Sequence, residues 1–148
     1  VKEIIKLFNL YNVKLVIHTG DITNTKTLEC FSMLNCPLKG VYGNNDLNEK
    51  GLKDVSKKHG FDFRLPPYVF SLERKKIAVF HEPDLIEPLL KREKDIDVIL
   101  HGHTHRFRHE EIDGIQVINP GECAGIIKGS NSVGILDLND LNFERIFF

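Results

Sequence analysis

The run Asp97-Val98-Ile99-Leu100-His101-Gly102-His103-Thr104-His105 decides how this chain is read. Asp97 to Leu100 is a short apolar stretch, the pattern of a strand buried on both faces, and it stops in a polar loop. In an extended segment, side chains at alternate positions share a face, so His101, His103 and His105 point to one side. Chance packing rarely produces such a run. The same grammar recurs in both directions. Val13 to Ile17 stops at His18-Thr19-Gly20-Asp21, and Leu38 to Tyr42 stops at Gly43-Asn44-Asn45-Asp46. Lys76 to His81 ends in its histidine, and Ile115 to Ile118 runs into Asn119-Pro120-Gly121.

Helical spacing fills the gaps in the first third. Val1, Ile4, Ile5, Phe8 and Tyr11 form one stripe. Thr23 or Asn24 can cap a short helix bearing Leu28, Phe31 and Leu34. A solvated third helix is expected over Glu49 to Lys58. Helix and strand therefore alternate, which indicates an α/β protein with parallel pairing. The second half is richer in strands. Tyr68 to Leu72 pairs with Lys76 to His81, and Asp113-Gly114 is a two-residue turn between Phe107–Ile112 and Ile115–Ile118. A last pair, Val133–Leu138 and Phe143–Phe148, follows. Between them, Asp84 to Lys91 reads as a helix if Pro88 falls near its first turn. The expected architecture is a sandwich of two sheets with helices outside.

A chain of 148 residues with 41% hydrophobic content fits one domain with a real core. The net charge of -1 argues against a broad nucleic-acid surface. Three scattered cysteines, Cys30, Cys36 and Cys123, exclude a disulfide framework and suit the cytoplasm. No apolar run is long enough for a membrane span, so no membrane partner is expected. The first helix has no capping residue before Val1. The domain is accordingly expected to span 1–148 and to lack roughly 20 residues upstream, one strand and its loop.

Taken singly, Gly20-Asp21 and Gly43-Asn44-Asn45-Asp46 are turn signals, and a lone His81 is an ordinary polar residue. Their joint placement changes the reading. Polar clusters at the C-terminal ends of strands converge on the edge where α/β sheets bind ligands. Carboxylate and imidazole donors together suit Mn²⁺, Fe²⁺, Zn²⁺ or Ni²⁺ rather than Ca²⁺ or Mg²⁺. Asn119-Pro120-Gly121 reads as a turn that closes the floor of the site.

In this order, Gly20-Asp21, Gly43-Asn44-Asn45-Asp46, His81 and Gly102-His103-Thr104-His105 resemble the calcineurin-like metallophosphoesterase superfamily. With Ile118-Asn119-Pro120-Gly121-Glu122 they are similar to its small single-domain bacterial and archaeal phosphodiesterases. The resemblance implies a four-layer αββα sandwich of two mixed sheets, here without the first strand. It also implies two divalent metal ions, Mn²⁺ foremost. Asp21 would bridge both ions; Asn44, His81 and His103 would complete the second; His105 would bind the first. The implied activity is hydrolysis of a small phosphodiester by a hydroxide activated between two metals.

Two departures qualify that expectation. Members of the superfamily open with a strand ending in Asp-x-His, which supplies two ligands to the first metal; this sequence shows none, so without that strand the chain is expected to hold at most one ion tightly and to be inactive. Asn45 stands where many members carry His; it can donate a hydrogen bond on the leaving-group side but cannot act as an acid. The alternative is a non-catalytic scaffold, as in the retromer subunit that resembles these enzymes, or a binding protein on the same fold. A homodimer would be an ordinary assembly. His18 and His101 are not needed as ligands, and Glu82, after His81, is placed to bring a carboxylate toward the site.

Overall fold

The computed structural model describes residues 1–148. In chain order its elements are α1 (Lys2–Leu10), β1 (Val16–His18), α2 (Thr25–Cys30), β2 (Leu38–Val41), α3 (Leu52–His59), β3 (Asp62–Arg64), β4 (Tyr68–Leu72), β5 (Lys75–Val79), α4 (Ile86–Leu90), β6 (Val98–Leu100), β7 (Arg108–Ile112), β8 (Ile115–Asn119), β9 (Ser132–Leu136) and β10 (Phe143–Phe147).

A mixed five-stranded sheet runs β4-β5-β6-β8-β7. Its three inner strands are parallel, and the edge strands β4 and β7 are antiparallel to their neighbours. The facing layer comes in two hydrogen-bonded pieces: the parallel trio β1-β2-β3 and the antiparallel pair β9-β10. The sides of β1 and β9 that lack a strand partner border an apolar groove of about 600 Å³, lined by Val16, Ile17, Leu100, Ile118, Leu136 and Phe143 among others.

Three apolar layers hold this together, and the two-residue period of the strands sorts side chains among them. Ile77 and Val79 face inward with Val41, Val98 and Ile118 between the sheets. Ala78, Phe80, Ile99 and Val117 face the other way, under Ile86 and Leu89 of α4. Val16 and Leu38 pack beneath Ile5 of α1, Leu28 of α2 and Leu52 of α3. The order is helix, sheet, sheet, helix.

Four local details depart from the sequence expectation. Val13 does not extend as strand; its N–H closes the turn after α1 on the Phe8 carbonyl, so β1 starts at Val16. Strand β3 was not anticipated: Phe61-Asp62-Phe63-Arg64-Leu65 alternates apolar and polar residues, but only three of them are strand, ahead of Pro66-Pro67. Helix α3 begins only at Leu52, after Gly51 at φ 91°. The expected helix over Asp84 to Lys91 divides into a 3₁₀ turn, Pro83–Leu85, and α4. Pro88 is then the third residue of α4, where a backbone N–H needs no helical partner.

Register sets the site. His18 of β1 pairs with Gly40 of β2, so the loops carrying Asp21 and Asn44 leave side by side. Val79, Leu100 and Ile118 align across β5, β6 and β8, so His81, the 101–105 loop and Asn119 emerge on the same edge.

Candidate metal centre

Four of the six residues singled out from the sequence meet at one point of that edge. His81 Nε2 lies 2.9 Å from Asn44 Oδ1 and 3.3 Å from Asp21 Oδ2. His103 Nδ1 lies 3.1 Å from the same His81 nitrogen and 3.2 Å from Asn44 Oδ1. The two imidazole rings meet edge to face, with centroids 5.0 Å apart. The cluster borders a cleft of about 330 Å³ that also touches His18, His105, Gly121 and Cys123.

The tautomer of His81 follows from its partners. Its Nδ1 lies 2.8 Å from the carbonyl oxygen of Thr19, which can only accept, so Nδ1 carries the hydrogen. In the neutral ring Nε2 is then a lone pair, and it faces the oxygens of Asn44 and Asp21. A hydrogen on His103 Nδ1, 3.1 Å away, can satisfy that lone pair, and a cation would satisfy all of these acceptors at once. A backbone carbonyl gripping the far nitrogen is also how metal-ligating histidines are usually oriented. Ligand bonds of ~2.0–2.2 Å place neighbouring donors ~3 Å apart around a cation, close to the spacing found here. No three His, Cys, Asp or Glu side chains are arranged around a common metal position. One of the four donors is the amide of Asn44, and the donor atoms touch one another rather than standing back from a centre. The fit lies in donor chemistry and spacing.

The backbone is bent to bring them there. Asp21, His103 and His105 have φ of 59°, 64° and 55°, in the left-handed region that non-glycine residues seldom occupy. Such strain persists where surrounding contacts over-determine it, and it gathers at functional sites. Gly20 lies at φ 100°, and a Cβ there would stand 2.5 Å from His81 Nδ1. A Cβ on Gly43 would strike Asp21 Oδ1 and lie 2.5 Å from the Asp21 nitrogen.

Asp46, whose role the sequence did not disclose, fastens two of the loops together. It is 3% exposed. Its Oδ2 accepts from the N–H groups of Asp21 and Gly43, each at 2.8 Å, and its Oδ1 from that of Thr23 at 2.9 Å. Asn119 does the same for the histidine loop. Its amide donates to the Gly102 carbonyl at 2.9 Å and to Thr104 Oγ1 at 3.2 Å.

Of the two remaining candidates, one joins the foursome through Asp21 and the other sits apart. Asn45 is bonded to Asp21, through its N–H to Oδ1 at 3.0 Å and its side-chain amide to Oδ2 at 2.8 Å. His105 borders the cleft, but its Nδ1 pairs with Glu122 Oε2. Burial pushes the Glu122 carboxyl up, yet hydrogen bonds from His105, Ile126 and Ala124 outweigh it and hold the group below the usual range. His18 is more than a strand-end bystander. Its Nδ1 accepts the Gly20 N–H at 3.1 Å, and its ring packs edge-on to Phe31. Burial lowers its pKa to about 4, with Asp46 and Asp21 opposing. His101 is also pushed down by burial, and its Nε2 has no partner. Glu82 does not line the cleft.

Fold and rim together define a phosphoesterase-type αββα sandwich. The family model of the calcineurin-like phosphoesterase superfamily domain matches residues 1–141, and the chain belongs to that superfamily. It is 33% identical over 150 residues to phosphodiesterase MJ0936 of Methanocaldococcus jannaschii, covering 99% of this chain and 89% of the relative. Among solved structures it is similar to an archaeal phosphodiesterase (TM-score 0.88, 32% identity, 99% of this chain and 90% of that one). YfcE, a phosphoesterase from E. coli, shares the fold at 21% identity and a TM-score of 0.67, over 98% and 90% of the chains. No helix is long and apolar enough to cross a membrane, and Cys30, Cys36 and Cys123 are free thiols.

Proposed function

We propose that this chain is a divalent-metal-dependent phosphodiesterase whose cations are held by Asp21, Asn44, His81, His103 and His105. The observation that carries this is the His81 lone pair, aimed by the Thr19 carbonyl at the oxygens of Asn44 and Asp21. Asp21 would offer its carboxylate to both cations; Asn44, His81 and His103 would hold one, and His105 the other. Mn²⁺ is the ion to test first, then Ni²⁺, Fe²⁺ and Zn²⁺. When bound, two such ions clamp a phosphodiester and lower the pKa of a water between them.

The chain's own residues supply position and charge. Asn45 and Asp46 hold the Asp21 carboxylate and its backbone in place before substrate arrives, so no reorganisation is needed in the reaction. Asn45 can offer a hydrogen bond on the leaving-group side but no proton. Neither Lys nor Arg lines the cleft. Without a fixed side-chain cation, the cleft favours the single charge of a diester over the doubly charged phosphate of a monoester. Residues 1–148 act as one domain on a small substrate in the cytoplasm, and a homodimer is the assembly to look for by size exclusion.

The test is hydrolysis of bis-p-nitrophenyl phosphate with Mn²⁺ and with a chelator. Turnover with Mn²⁺ that vanishes on chelation, and exceeds that on p-nitrophenyl phosphate, supports the proposal. No turnover with any of the four metals would leave the scaffold reading.

A further inference from the structure

We propose that Glu122 is a positioning residue that fixes the Nδ1–H tautomer of His105 and so turns its Nε2 lone pair outward to a cation. The inference rests on the reading of His105 as a metal ligand given above. Glu122 is a carboxylate only 2% exposed, at the bend after Asn119-Pro120-Gly121. Its Oε1 is occupied by two backbone donors, the N–H of Ala124 at 2.7 Å and of Ile126 at 3.1 Å. Its Oε2 faces His105 Nδ1, 17 residues away in sequence. An ionised carboxylate only accepts, so that nitrogen must donate.

A neutral imidazole carries one hydrogen, so Nε2 of His105 is left as a lone pair. No protein group pairs with it, and the side chain is 42% exposed where it borders the cleft. The residue's backbone is also held at φ 55°, so loop and carboxylate together fix the ring. Loop capping alone would need only the two backbone bonds of Oε1. The second oxygen is spent on orientation, which is the recurring arrangement behind metal-ligating histidines.

The E122Q variant separates orientation from capping. Its amide oxygen can keep both backbone bonds, while its nitrogen, only a donor, must face His105 Nδ1. That forces the hydrogen to Nε2 and closes the ligating position. The readout is ¹⁵N NMR of the imidazoles at pH 8, with His105 assigned by its loss in H105A, during titration with Mn²⁺ alone. The wild type is expected to show the Nδ1–H pattern and paramagnetic broadening of His105 Nε2. E122Q should show the Nε2–H pattern and need roughly 10–100-fold more Mn²⁺ for the same broadening. An Nε2–H tautomer in the wild type overturns the proposal without any variant. Unchanged Mn²⁺ sensitivity in a folded E122Q overturns it while leaving His105 a ligand. Broadening of His81 and His103 but never of His105 would remove His105 from the ligand set, and the role of Glu122 with it.

Discussion

The ring of His81 is held by the carbonyl of Thr19, 2.8 Å from Nδ1, and that one bond decides which nitrogen faces Asn44 and Asp21. Thr19 and His81 stand 62 residues apart, at the ends of β1 and β5 in different sheets. The sandwich itself therefore sets the chemistry of the cluster. Replacing His81 by Ala should reduce Mn²⁺-dependent turnover by more than the ~10–100-fold that follows loss of a ligand's own partner. Parallel Mn²⁺ binding by calorimetry should weaken with it. Loss of turnover with binding unchanged would place His81 outside the ligand set.

Gly43 offers a probe of geometry without strain, since its φ is not in the left-handed region. A methyl group there would collide with the Asp21 carboxylate and backbone. G43A should lose most of its turnover while its urea midpoint shifts only modestly, because the collision falls on a half-buried loop rather than on the core. Full activity in G43A would mean that the position of Asp21 is not critical.

Asp46 carries more of the stability. In D46N one acceptor becomes an N–H that must face an N–H of Asp21, Gly43 or Thr23. A buried donor left unpaired costs ~1–3 kcal/mol, to be read from urea unfolding. Activity should fall as well, because both loops depend on the same carboxylate. The conservative D46E variant should not restore it if three fixed donors define the length required.

Much of this was legible in the sequence. Apolar runs that stop at Gly-Asp, Gly-Asn and Gly-His marked the strand ends and the loops that meet there. Strand β3 was missed because its alternation is short, and its ties to β2, the backbone pairing and the Lys39–Asp62 ion pair at 2.7 Å, exist only once the sheet forms. Its absence also hid the burial of His18, whose ring lies 6.1 Å from that of Phe63. Asp46 and Glu122 were visible as carboxylates but not as anchors, because their partners are backbone N–H groups and a histidine placed only by the folded loops. The pairing of His105 with Glu122 was hidden for the same reason.

His18 predicts acid sensitivity. Below about 6.5 the unfolded chain protonates this histidine, whereas the folded protein refuses the proton until about 4. The unfolded state thus binds more protons in that window. Stability is complete above pH 6.5 and declines as pH falls toward 4, by at most about 3–4 kcal/mol, at 1.36 for each unit between 6.5 and about 4. His101, lowered by burial, acts in the same direction. H18N retains an acceptor for the Gly20 N–H but does not titrate. Its urea midpoint should vary less between pH 4 and 6.5 than that of the wild type; equal slopes would remove His18 as the cause.

Whether Asp21, Asn44, His81 and His103 surround one cation is read directly by anomalous diffraction from a crystal soaked in Mn²⁺. A peak is expected within ~2.0–2.2 Å of His81 Nε2 and Asn44 Oδ1, in contact with Asp21 and His103. That peak should disappear in H81A. A Mn²⁺ peak elsewhere with none among these four residues, or a peak that persists in H81A, would contradict that placement.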